Sequence, residues 1–194
     1  MHHQLLFTVL SLLLLSSCRP GQLSPPEYQK WLSESQDELG SSISQDGYRY
    51  SVRYVPKEYL ALQDLLPGEP TAEALEEQVA AREGYLYFVF RIEPEASRRK
   101  DFQQFINEQQ QYLAFGAQQD FSFIRPGESI KCALYHFERS MNLTPFHQFL
   151  LAFPGDEKLL QGGSIRYAGQ QFSSHEINLS LSHISPENIP TLSL

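Results

Sequence analysis

Tyr85-Leu86-Tyr87-Phe88-Val89-Phe90-Arg91-Ile92 decides the fold. The run is apolar at both parities, rich in aromatics and closed by Pro94, the profile of a central strand covered on both faces. Upstream, Tyr48, Tyr50, Val52 and Tyr54 alternate with Arg49, Ser51 and Arg53, which predicts a strand over 47–55 with one wet face. Downstream of Asp120 the chain reads as strands and turns. Phe121 to Arg125, the turn at Pro126-Gly127 and Ile130 to Arg139 make a hairpin, because proline then glycine suits the central positions of a type II turn. Phe146–Phe153, Ser164–Tyr167 and His175–Ile184 add further strands.

Helical spacing fills the rest of the first two thirds. Ser24-Pro25-Pro26-Glu27 combines a serine cap, proline in the first turn and a glutamate three residues after the cap. Tyr28, Trp31, Leu32, Ser35 and Leu39 then share one face, predicting a helix to Leu39 stopped by Gly40, with Trp31 pinning it to the core. Pro56 opens a short helix through Leu66, and Thr71 caps another that ends at Gly84. Between them Pro67-Gly68-Glu69-Pro70 acts as a breaker. Phe102, Phe105, Ile106, Tyr112 and Leu113 mark the apolar face of a fourth helix near 97–115, stopped by Gly116. The expected class is α+β: a mainly antiparallel sheet of about six to seven strands with about four helices concentrated in the first two thirds.

The 194 residues carry a formal charge of −8, which argues against nucleic acid, whose phosphates would be repelled. Much of the excess lies in residues 57–83, where seven acids (Glu58, Asp64, Glu69, Glu73, Glu76, Glu77, Glu83) meet only Lys57 and Arg82. No Asp-rich loop with calcium-binding spacing appears there, so a solvated helix face is the expectation.

The N-terminus adds an address. Leu5 to Leu15 is apolar over the length of a signal-peptide core but short of the roughly 20 residues that span a bilayer. It ends in Leu15-Ser16-Ser17-Cys18, which resembles the lipobox of bacterial lipoproteins. That resemblance covers residues 1–18. It implies a signal peptide over 1–17 and a covalent diacylglycerol on Cys18; the proline, glycine and polar groups that follow predict a tether over 18–24, and the remaining length fits a single domain over 25–194. The mature chain would then meet the membrane through its lipid and contain no transmembrane helix. No aspartate follows the cysteine, which by the same resemblance favours the outer membrane of a Gram-negative cell, on its periplasmic face. Lipidation of Cys18 would leave Cys132 without a disulfide partner, and an unpaired envelope cysteine is expected buried.

Candidate chemistry is sparse. Cys132, His136 and Glu138 share the parity of one expected strand, and Glu138 would face His147 if Arg139 paired with Phe146. Such a group could hold zinc or activate a thiolate. Yet four strand residues span about 13 Å, and a one-residue register slip would send His147 to the other face. A Glu138–His147 pair beside a buried Cys132 is therefore favoured over a metal or ligand cluster. Tyr48, Tyr50 and Tyr54, if exposed, could stack on sugars or grip a peptide; their alternation favours packing under the first helix instead. Neither a Gly-x-Ser-x-Gly elbow nor a Gly-rich phosphate loop is present, and no resident cofactor is implied. The expected function is a non-enzymatic interaction or assembly component of the envelope, working with an envelope protein partner. The alternatives are a carbohydrate or peptide binder using the tyrosines, and a thiol or hydrolytic enzyme around Cys132.

Overall fold

The computed structural model describes residues 21–66, 68, 70–138 and 144–194. The signal segment, Cys18, Arg139 and the Asn142-Leu143 loop lie outside them. The described chain is α+β, with helices α1 (Pro25–Glu34), α2 (Lys57–Leu65), α3 (Ala72–Ala80) and α4 (Arg99–Gln111). Its eleven strands are β1 (Gln22–Leu23), β2 (Gly40–Gln45), β3 (Tyr48–Val55), β4 (Tyr85–Pro94), β5 (Phe121–Arg125), β6 (Glu128–Lys131), β7 (Leu134–Glu138), β8 (His147–Pro154), β9 (Ser164–Tyr167), β10 (Ile177–Ser180) and β11 (Thr191–Leu192).

Nine of these strands form two antiparallel sheets where one was expected, and β1 and β11 pair separately. Five strands run in the order β2-β3-β4-β8-β7 and four in the order β10-β9-β5-β6. Their inner faces meet through aromatics: Phe90 lies 5.0 Å from Phe121 and Phe88 lies 6.0 Å from Phe123, centroid to centroid. The expected strand 130–139 is divided between the sheets. It leaves the four-stranded sheet after Lys131, turns at Cys132 and Ala133, and joins the five-stranded sheet as β7, with the Ala133 N–H bonded to the Ala152 carbonyl at 2.8 Å. A strand that changes sheets at a corner is a usual way to close two packed layers.

α4 packs Phe102 against Tyr48 and His147 and Phe105 against Phe172, covering one end of the core. It passes into a π turn over Tyr112–Gly116, where Tyr112 donates to Asp120. α2 and α3 form an acidic hairpin joined by the Arg82–Asp64 ion pair and by Lys57–Glu83 at 3.8 Å. It sits on the outer face of the five-stranded sheet, beside Tyr87, Leu134 and Leu150, and Ala152 is buried on that side. β4 is therefore central but fully covered only on its inner face. Its outer residues run from exposed Tyr85 through half-buried Tyr87 and Val89 to Arg91 and Glu93.

Two local expectations change for stated reasons. The first helix ends at Glu34, because Leu39 turns into the core and Gly40 starts β2 as the edge partner of β3. A Cβ on Gly40 would stand 2.7 Å from the Val52 carbonyl oxygen, so only glycine allows that approach. Asp46 and Gly47 have φ of 55° and 82° and close the β2–β3 hairpin as a two-residue turn. Further back, Gln22 and Leu23, expected within a tether, pair in parallel with Thr191 and Leu192. None of the described helices is long and apolar enough to cross a membrane.

Candidate functional site

The same alternation that buries the β3 tyrosines aims Arg49, Ser51 and Arg53 away from the core. Register then decides what they meet. Ser51 faces Arg91 of β4 directly, Arg49 faces Glu93 and Arg53 faces Val89. Arg49 and Arg53 are thus diagonal neighbours of Arg91, one to either side, at the roughly 7–8 Å typical of such positions. Continuing across the sheet, Arg91 faces Gln148 of β8, and Gln148 faces Glu138 of β7. The edge strand β2 brings Ser42 opposite Ser51. The part of this face left uncovered by the α2–α3 hairpin is an open groove of about 520 Å³, bordered by Gln36, Asp37, Ser41 and Pro145.

Two of the three guanidinium groups are partly held. Arg91 donates from Nε to Gln148 Oε1 at 2.5 Å and lies 4.5 Å over the Phe146 ring, while Gln148 Nε2 donates to Glu138 Oε2 at 2.8 Å. Arg49 donates from Nη2 to Ser42 Oγ at 3.2 Å. Arg53 has neither a hydrogen bond nor an ion pair from its side chain to a described residue, and its electrostatic neighbours are Arg91 and Tyr59. Burial, and then the charge of Arg91, lower its pKa from the ordinary arginine value. None of the three arginines forms an ion pair with a described carboxylate, although Asp37 and Glu93 border the same groove. Half-buried like charges without a counterion are costly, and an anion would relieve that cost.

The residues singled out from sequence are distributed differently. Cys132 is buried, its thiol donates to the Leu134 carbonyl at 3.0 Å, and burial pushes its pKa up to about 11. That is the opposite of an activated thiolate. His136 and Glu138 are exposed on the outer face of β7. His147 points inward, 5.0 Å from Phe102 and 5.6 Å from Phe137. The favoured Glu138–His147 pair is thus corrected: the register slips by one, Glu138 meets Gln148, and the imidazole enters the core. Among the described residues His147 Nδ1 has no hydrogen-bond partner, and burial lowers the ring's pKa to about 4. Among the described residues no three His, Cys, Asp or Glu side chains gather within metal-holding reach. Tyr48, Tyr50 and Tyr54 are buried at 6%, 0% and 2% exposure, with Tyr50 donating to the Phe172 carbonyl and Tyr54 to Glu157. They have no free face for a ligand. Of the sequence candidates, only Glu138 joins the arginine face, through Gln148. The arginines were visible as the wet half of a strand; what no local signal showed was that Arg91 stands beside them.

Comparison with protein-family models, with curated proteins and with solved structures gave no match, so the geometry carries the functional reading.

Proposed function

We propose that this chain is a lipid-anchored, non-enzymatic component of the bacterial envelope that recognises an anionic partner on the outer face of its five-stranded sheet. The anchor would be a diacylglycerol on Cys18, at the outer membrane and on its periplasmic side. The observation that carries the recognition site is the pair Arg53 and Arg91: neighbouring cations in an open groove, neither ion-paired to a described carboxylate, on a chain whose net charge is −8. A locally positive groove on an acidic protein selects for opposite charge and steers its approach. Recognition would occur close to the membrane, because Gln22 is already tied to the C-terminal strand. Three residues separate Cys18 from it, four Cα steps with a reach of about 14 Å when extended.

The test is photo-crosslinking in cells from a reactive residue at Ser42, on the rim of the groove, followed by mass spectrometry. Palmitate labelling of the wild type and of Cys18→Ala runs alongside it. The reading expects labelled, membrane-bound wild-type protein, loss of label in the variant, and crosslinked adducts that disappear when Arg53 and Arg91 are both changed to glutamine. Adducts insensitive to the arginines would remove the recognition site, and an unlabelled soluble wild type would remove the anchor.

A further inference from the structure

The arrangement of donors in the groove narrows the ligand beyond an anion in general. Ser51 sits at the centre of the outer face of β3, with Arg49 and Arg53 two residues to either side and Arg91 directly across. Arg49, Arg53 and Arg91 thus surround Ser51 in the ladder, and all four residues line the same groove. Towards described residues Arg53 makes no side-chain hydrogen bond, Arg91 uses only its Nε and Arg49 only its Nη2, so their other N–H donors are unused there. A carboxylate offers two oxygens in one plane, and a single bidentate guanidinium satisfies them. A tetrahedral phosphomonoester offers three terminal oxygens, each able to accept from a different side.

Charge limits the size of the anion. The three arginines less Asp37 and Glu93 leave the groove at +1, so one negative charge neutralises it and a phosphomonoester dianion takes it only to −1. A polyanion would press surplus charge against those carboxylates. Asp37 and Glu93, acceptors without an ion pair to a described residue, suit hydroxyl donors on the carbon skeleton that carries the phosphate. The groove, at about 520 Å³, has room for such a skeleton.

We propose that Arg49, Ser51, Arg53 and Arg91 bind a phosphomonoester on a hydroxylated carbon skeleton, a sugar phosphate in chemical class, either free or displayed on a lipid headgroup. This rests on the groove being the recognition face.

The experiment is calorimetric titration of the full chain in detergent micelles, at fixed ionic strength, with glucose 6-phosphate, inorganic phosphate, glucose and glucuronate. Vesicles carrying phosphatidylinositol 4-phosphate, compared with phosphatidylinositol, form a second arm. Glucose 6-phosphate should bind at least tenfold more tightly than glucuronate, and glucose should not bind. Arg53→Gln should weaken binding at least tenfold and Arg53→Lys less, because lysine keeps the charge but not the fork. Arg49→Gln, at an exposed position that cannot disturb the core, should weaken it several-fold. Binding of phosphatidylinositol 4-phosphate vesicles in preference to the free sugar phosphate assigns the lipid source; the reverse assigns the soluble one. Glucuronate binding as tightly as glucose 6-phosphate, or Arg49→Gln and Arg53→Gln binding as the wild type does, overturns the proposal. If no phosphate binds while arginine-dependent crosslinks persist in cells, the phosphate class is wrong and the recognition face stands. If both fail, both are wrong.

Discussion

Glu138 stands opposite Gln148 in the β7–β8 ladder, one residue away from His147. That single step settles two environments at once. It turns His147 into an aromatic pocket, and it makes Gln148 the bridge between Glu138 and Arg91.

The buried imidazole makes stability depend on pH. An unfolded histidine titrates near 6.5, whereas His147 in the fold is held to about 4 by burial, so between these values the unfolded chain takes up a proton that the native chain refuses. Stability from this group is full above pH 6.5 and is lost as pH falls towards 4, by at most about 3 kcal/mol. Urea unfolding of the wild type and of His147→Phe at pH 7, 5.5 and 4 checks it. The variant should show the smaller loss; identical pH profiles would contradict the burial argument.

Phe90 is fully buried where both sheets meet, against Tyr50, Phe121, Phe149 and Tyr167. Phe90→Ala should cost about 3–5 kcal/mol, because the surrounding rings belong to separate strands and cannot collapse together into the space. Denaturant titration at pH 7 gives the value, and a loss under 1 kcal/mol would mean that the sheets repack freely.

Gly40→Ala should destabilise the fold by about 1–3 kcal/mol, since the added carbon meets backbone oxygens of Val52 and Gln36 at 2.7 and 3.0 Å. Hydrogen exchange should show the loss concentrated in the β2–β3 ladder. Uniform loss of protection throughout the chain would argue against a local steric cause.

The Cys132 thiol, buried and pushed up to about 11, should react with a disulfide reagent at pH 8 far more slowly in the native protein than in urea. A Cys18→Ser background isolates its signal. Equal native and denatured rates would show the site to be open.

The sequence by itself determined most of the secondary structure, because hydrophobic period is a local property. β4, β8, β9 and α2 fall close to where alternation, helical spacing and breakers put them. The turns were equally local: Pro126-Gly127 gives the β5–β6 hairpin, and Asp46-Gly47 is the dipeptide that could have revealed β2, whose polar Gly40–Gln45 sequence carries no hydrophobic period of its own. Burial of Tyr48, Tyr50 and Tyr54 also followed from alternation. What the sequence left open were relations between strands. Which sheet a strand joins, and with which partner residue, depends on distant packing, so the division at Cys132 and the inward turn of His147 had no local signature. The arginine face belongs to the same class. Arg49 and Arg53 are two turns of the pleat apart on one strand, but Arg91 is 38 residues beyond Arg53 in sequence, and only the β3–β4 register puts it across from Ser51.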